Sequence, residues 1–351
     1  MANPERIRGR GRRRTLTRLA AAAICAIAVG SAGTSAAFTY FRIGTGDPTS
    51  TFFAIGTAIA GAISNPPGSR ACDVGGSCGV PDMIAVAQTT QGSIENIRAI
   101  QAGEIDSGLG NADLVHWAWI GESVFRDEGV ADKLRVVANL YQESVHFVVR
   151  ADSGFVSVAD LAGKRIAVGG ENSDSRVTAR LILRAYRLDE TKYTPVFAST
   201  LDAASMLAND DVDAIVAIGS HPIPIVAGLA ETVPIDLLSL DDEVAGKLRE
   251  QYGFLLVDVI PGDLYAGVDA TVTIGIGALW LVNADLDPEL VYAVTKSLWH
   301  PATRSILDRT GPIGRSIQRE TALVGLPVPL HPGAELYYTE SAAAARPGAL
   351  R

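Results

Sequence analysis

Past an arginine-rich start, short apolar runs alternate with polar loops and longer amphipathic stretches, the strand–loop–helix rhythm of an α/β protein. Residues 40–43 predict a first strand, the loop 44–51 (Gly-Thr-Gly-Asp-Pro-Thr-Ser-Thr) follows, and a helix runs over about 52–63. Residues 83–87 predict the next strand, which leads through Gln88-Thr-Thr-Gln-Gly-Ser93 to a helix with Glu95 and Asn96 in its first turn. Residues 165–168 predict another buried strand. It runs into Gly169-Gly-Glu-Asn-Ser-Asp-Ser175 and then a helix over 176–186, with Val177, Leu181 and Ala185 on one face. A glycine turn and a Ser/Asp/Ser helix start leave backbone N–H groups unpaired beyond the strand's end. Such a terminus suits a carboxylate or phosphate, with Arg176 as a bidentate clamp, and it equally describes an ordinary helix cap.

The pattern also repeats, weakly. Ala102-Gly-Glu-Ile-Asp106 ends one helix and opens an apolar strand running to the polar loop Gly110-Asn-Ala-Asp113. Asn209-Asp-Asp-Val-Asp213 ends another and opens a strand over 214–218, running to Gly219-Ser-His-Pro222. Two α/β lobes built alike would send such loops from strand C-termini toward a shared crevice, although any α/β chain can echo itself this way. Two apolar runs look like lobe crossings: residues 145–150, after a strand over 134–140, and residues 277–283, after a strand-rich stretch over 254–276. The expected division is therefore a leader over 1–37, a discontinuous first lobe over 38–144 and 277–351, and a second lobe over 145–276. From Pro288 the chain is expected to be helical and to wrap the first lobe. A proline-punctuated loop over 325–338 leads to a short helix, with a frayed end from Ala342.

Charge changes the picture at the N-terminus. Six arginines and no lysine fall within the first fourteen residues, an apolar run occupies 19–29, and small residues follow to Ala37. That order describes a secretory signal peptide, its apolar core shorter than the roughly 20 residues that span a bilayer. Arg13-Arg14-Thr15-Leu16 also resembles a twin-arginine signal, a general secretory signal fits as well, and an uncleaved anchor is the third alternative. Residues 1–37 carry a net +6 (seven arginines against Glu5), so the whole chain's −9 leaves −15 for the remainder. An acidic chain of that kind excludes nucleic acid and anionic membrane as general partners.

Cys25 falls in the leader. Cys72 and Cys78 flank Asp-Val-Gly-Gly-Ser in a glycine-rich stretch, and in an exported chain they fit a disulfide better than half a metal site. Gly75-Gly-Ser-Cys-Gly79 satisfies Gly-x-Ser-x-Gly but lacks the strand-to-helix elbow and the partner histidine of a hydrolase. Gly44-x-Gly46 lacks the third glycine of a dinucleotide fingerprint, Thr49 standing there. His116, His146, His221, His300 and His331 are scattered without metal-binding spacing. Neither a catalytic site, a metal nor a cofactor is expected.

Ile43-Gly-Thr-Gly46, Thr51-Phe-Phe-Ala-Ile-Gly56, Gln91-Gly-Ser-Ile-Glu-Asn96, Ala102-Gly-Glu-Ile-Asp106, Val145-His-Phe-Val-Val-Arg150, Asp160-Leu-Ala-Gly-Lys-Arg165, Ser175-Arg-Val-Thr-Ala-Arg180 and Gly325-Leu-Pro-Val-Pro-Leu-His-Pro-Gly-Ala334 occur in that order. Together they resemble the TAXI class of TRAP-transporter solute-binding proteins, over residues 42 to 340. The resemblance implies a periplasmic protein whose two α/β lobes close on a small solute; a monomer is expected, although the sequence does not reveal whether the protein dimerises. The solute class would be carboxylates such as glutamate or 2-oxoglutarate. Delivery would be to an ion-gradient-driven permease of large and small membrane subunits, separate or fused. A stand-alone periplasmic sensor, passing its ligand to a membrane kinase, is the alternative use of the same fold.

The resemblance also implies ligand contacts, at Gly44, Thr45, Gly46, Thr51, Phe52, Ser93, Asn96, Asn111, Asp113 and Tyr141 in the first lobe. In the second they fall at Asn172, Ser173, Ser175, Arg176, Thr178, Gly219 and His221. For Arg176 two orientations are open, inward to the solute or outward to an acid. Three departures from the family pattern stand out: a longer segment over 70–83, Asn111-Ala-Asp113 in place of Gln-Ser-Asp, and an added acid, Asp174.

Overall fold

A computed structural model describes residues 38–48, 50–171 and 173–344. The expected leader over 1–37, with Cys25 and the expected export signals, lies outside the described residues, as do Thr49, Asn172 and residues 345–351. Strand β1 (Thr39–Gly44) is followed by helix α1 (Thr51–Ile63), whose N-cap Ser50 accepts a hydrogen bond from Phe53 N–H. The short strands β2 (Ser64–Asn65) and β3 (Val80–Pro81) bracket the Cys72–Cys78 disulfide. Then come β4 (Met83–Gln88), α2 (Ser93–Ala102), β5 (Ser107–Asn111) and α3 (Ala112–Ile120). Strand β6 (Leu134–Arg150) runs 17 residues without a break, through the Tyr-Gln-Glu-Ser segment where the apolar pattern predicts a gap.

The chain continues through β7 (Arg165–Ala167), α4 (Asp174–Ala185), β8 (Thr194–Val196), α5 (Thr200–Ala208) and β9 (Ala214–Gly219). After these come α6 (Pro224–Ala230), β10 (Ile235–Leu237), α7 (Asp242–Gln251), β11 (Leu255–Ile260) and β12 (Thr271–Asn283). Four helices end the described chain: α8 (Pro288–Leu298), α9 (Pro301–Asp308), α10 (Pro312–Ser316) and α11 (Pro332–Ala344). Helix α11 begins inside the stretch expected to be a loop, because Pro332 sits at its first position, where a missing N–H costs nothing.

One mixed sheet carries these elements in the order β3-β2-β4-β1-β5-β12-β6-β9-β7-β8, with β10 added to β6 and β11 to β12. Its two wings are parallel: β1 pairs β4 and β5 in parallel, and β7 pairs β8 and β9 in parallel. Between them stands the long antiparallel pair β6 and β12. The register of that pair decides where a site can form. Asn111, the last residue of β5, aligns with Ala278, and Ala278 aligns with Tyr141. Gly219, the last residue of β9, aligns with Ser144. Both wings therefore end, C-terminus first, on the Tyr141-Gln-Glu-Ser144 segment in the middle of β6, the end of parallel strands at which α/β proteins place their ligands.

Apolar packing supports both wings. Phe41, Ile43, Ile55, Ile59 and Trp280 form one cluster with α1 and the C-terminal helices, and Val148, Ile215, Val226 and Tyr265 form another on the second wing. A third, including Ile97, Leu114, Val145, Phe147, Val216 and Ile276, runs across both wings. Among the described residues, no helix is long and apolar enough to cross a membrane.

Candidate functional site

Where the wings meet lies a cavity of about 620 Å³, within the range usual for small-molecule sites. Of the residues expected at a ligand, Gly46, Thr51, Phe52, Asn111, Ser173, Ser175 and Gly219 line it. Each comes from the C-terminal end of a strand, the loop after it or the start of the following helix.

Other expected residues stand behind this lining and hold it. Asn96 is fully buried, and its Nδ2 donates to Thr45 O (2.7 Å) and Leu109 O (2.8 Å), tying the end of β1 to β5. Gly44 has no side chain because a Cβ there would meet Asn96 Oδ1 at 2.3 Å. Thr45 is buried and donates its hydroxyl to Gln88 O (2.6 Å). Ser93 Oγ accepts from Asn111 N–H at 3.0 Å. Thr178 Oγ1 donates to Asp113 Oδ2 at 2.5 Å, joining α4 to the start of α3. These groups are buried beneath the surface that a solute would touch.

Tyr141 and His221 line an adjoining cavity of about 400 Å³, which shares Ser220 with the first. There His221 Nε2 lies 3.6 Å from Asp258 Oδ2, and Ser144 donates its hydroxyl to the same carboxylate. The His221 imidazole beside it, followed by the bond from Ser144, holds the Asp258 carboxyl down to about 2. Ser144 is thus bonded to an acid and not to the imidazole, so these three groups do not form a nucleophile with its base. Ser77 of the Gly-x-Ser-x-Gly match sits inside the disulfide loop and donates to Ser64 O, without a helix after it. The disulfide takes both thiols, although His300 Nε2 approaches Cys72 Sγ to 3.9 Å.

Arg176 has the outward orientation. Its guanidinium bonds Glu190 Oε1 (3.0 Å) and Glu171 O (2.8 Å) and stacks 4.7 Å from the Phe197 ring centre. The acid it pairs with is Glu190, not Asp174. Because this pair is part-exposed and away from the cavity lining, Arg176→Ala should leave solute affinity within about twofold and cost about 1 kcal/mol of stability or less. Titration calorimetry and urea unfolding of that variant measure the two. A tenfold loss of affinity would place the guanidinium at the solute.

Asp174, the acid added relative to the family pattern, takes the position that sequence reasoning assigned to a solute. Its Oδ2 accepts from Ser93 N–H at 2.8 Å. The first N–H of α2 is therefore filled by a carboxylate reaching over from α4. Gly92 makes room for it: its φ of +110 favours glycine, and a Cβ there would stand 3.0 Å from Asp174 Oδ2. Asp174 keeps part of its surface open to the cavity while its carboxyl group is enclosed, and burial raises its pKa despite the donors.

Sequence reasoning missed Glu143. It lies in the middle of β6, 8% exposed, at the cavity wall, and its Oε2 accepts from Asn111 Nδ2 at 3.2 Å. Burial pushes its carboxyl up to about 7, only partly offset by the Asn111 bond, with the Asp174 and Asp113 charges adding to the rise. Burial likewise pushes Asp113 up to about 7 against the Thr178 and Leu114 bonds. A single acid inside a long apolar run was the available signal.

Residues 43–341 match the model of the NMT1-like family. In fold the chain is similar to several solved binding proteins. One is the periplasmic aliphatic sulphonate binding protein SsuA from Escherichia coli: 15% identity, 86% of this chain and 88% of that one covered, TM-score 0.45. A second is a TctC solute binding protein from Polaromonas: 15% identity, 88% and 97% covered, TM-score 0.48. A third is the substrate binding protein of an amino acid ABC transporter: 15% identity, 77% and 98% covered, TM-score 0.42.

Proposed function

The chain belongs to the NMT1-like family, and from that premise we propose that it is an extracytoplasmic solute-binding subunit that captures a small solute by closure of two lobes. The observation that carries this reading is the convergence of both parallel wings on the centre of β6, around one cavity. The lobes are 38–144 with 277–351, and 145–276. Only β6 and β12 need flex at their crossing, an arrangement suited to a double hinge. The Asp174–Ser93 bond and the Thr178–Asp113 bond run between the lobes so defined and favour the closed arrangement. A solute touching both sides would favour it further, because differential affinity drives closure.

Delivery to a TRAP permease, with large and small membrane subunits, rests on the ordered motifs from Ile43 to Ala334. The same resemblance supports a carboxylate solute. The start of α2 already carries the Asp174 carboxylate, so such a solute would displace it or sit at Ser173 and Ser175.

Binding is tested on protein isolated after export, with a panel of dicarboxylates, keto acids, amines and amino acids. A true solute at about 100 times its Kd should raise stability by about 3 kcal/mol and reduce the radius of gyration in solution scattering. If no compound does either, and the isolated protein carries no solute, the binding reading fails. Uptake that stops when the ion gradient is dissipated supports the TRAP assignment. Uptake that survives this but needs ATP would replace it with an ATP-driven permease.

A further inference from the structure

The polar side of the central cavity offers acceptors. Asn111 is 4% exposed and lines the cavity; its Nδ2 is used on Glu143, and its Oδ1 is buried with no hydrogen-bond partner. Beside it stand the carboxylates of Glu143 and Asp174. Among the described lining residues there is no lysine, arginine or histidine, and Arg176 is turned away to Glu190. Another part of the wall is apolar, with Phe52, Ile218, Ile223 and Ile225. A buried acceptor without a donor is unfavourable, and enclosed carboxylates beside one another need positive charge to remain ionised.

We propose, resting on the solute-binding reading above but in place of the carboxylate solute that the resemblance supports, that the solute is a small organic cation. Its ammonium head donates to Asn111 Oδ1 and Glu143, and its apolar body lies against Ile218 and Ile223. A free anion is disfavoured because the helix start that would receive it holds Asp174. A metal ion fits poorly, since its oxygen ligands must all come within about 2.6 Å of one centre. Among the described residues Glu143, Asp174 and Asp113 are not a group whose oxygens lie within 4.8 Å of one another. The cavity is also far larger than a single ion requires.

The test is titration calorimetry at neutral pH on protein isolated after export, with matched pairs that differ in the amine. The pairs are isoamylamine with isoamyl alcohol, benzylamine with benzyl alcohol, and putrescine with 1,4-butanediol. The amine of at least one pair should bind about 100-fold more tightly than its partner, the ratio expected when a buried charge pair is lost. Glu143→Gln should weaken that amine at least about 10-fold while keeping a cooperative melting transition, and Arg176→Ala should not. An alcohol that binds as tightly as its amine overturns the cation assignment and leaves the solute-binding reading intact. Unchanged amine affinity in Glu143→Gln does the same. If no member of any pair binds, and mass spectrometry finds a neutral or anionic solute in the isolated protein, the cation assignment falls alone. If it finds none, both readings fall together.

Discussion

Asn96→Ala should lower the free energy of unfolding by about 3 kcal/mol, although Asn96 stands among the residues a solute was expected to touch. Its side chain is fully buried, and its Nδ2 serves two backbone carbonyls, Thr45 O and Leu109 O, that are otherwise enclosed. Leaving a buried acceptor without its donor costs about 1–3 kcal/mol, and two are left here. The effect reaches the site indirectly, because Thr45 and Leu109 fix the ends of β1 and β5 and so the loop carrying Gly46. Urea unfolding followed by far-UV circular dichroism measures it. A change below about 0.5 kcal/mol is what a surface contact would give and would contradict the anchoring role.

The case of Asn96 shows what the chain's pattern could and could not reveal. A polar residue in the first turn of a helix after a strand is marked equally as a ligand contact or as an anchor, and only the approach of β1 and β5 decides. The elements themselves were largely legible where apolar periodicity and capping agree: β1, α1, β4, α2 and α4 start within two residues of their expected places. The break expected in the middle of β6 was misplaced because Gln142, Glu143 and Ser144 look like loop in isolation. In the fold, Glu143 is bonded by Asn111 and Ser144 by Asp258, so their polarity is met across strands and the ladder continues. Helix α7, with Asp242, Glu243, Lys247, Arg249 and Glu250 among its ten residues, has too narrow an apolar stripe to have been foreseen.

The orientation of Arg176 depends on Glu190, fourteen residues on, beyond the helix that carries it. Local sequence holds no record of that turn. Asp174 is the reverse case: its presence was legible as a departure from the family pattern, but its destination was not. Its carboxylate meets Ser93, 81 residues earlier in the chain. The same feature that made the α2 start look like an anion site, a row of free N–H groups, is what attracts the chain's own acid.

The other large effect concerns Glu143 and its response to pH. Its carboxyl titrates near 7 in the folded protein and ordinarily near 4.5, so between these values the folded state holds a proton that the unfolded state has lost. A group raised in this way contributes stability that is complete below about pH 4.5 and disappears as pH rises through about 7. At 1.36 kcal/mol per unit, the loss amounts to up to about 3 kcal/mol. The absolute stability curve mixes this with Asp113 and Asp174, which have the same sign, and with His146, which has the opposite sign. Burial lowers His146 to about 4, so its contribution is present above about 6.5 and lost as pH falls. The difference between the wild type and Glu143→Gln removes the His146 contribution and leaves, of Asp113 and Asp174, only the part that arises from their charge interaction with Glu143. Glutamine can still accept the Asn111 bond but cannot ionise. Relative to that variant, the wild type should therefore lose up to about 3 kcal/mol between pH 5 and pH 8, measured by urea unfolding at intervals across the range. Parallel curves would mean that Glu143 is already ionised at pH 5, with a positive charge near it that the fold does not contain among its described residues.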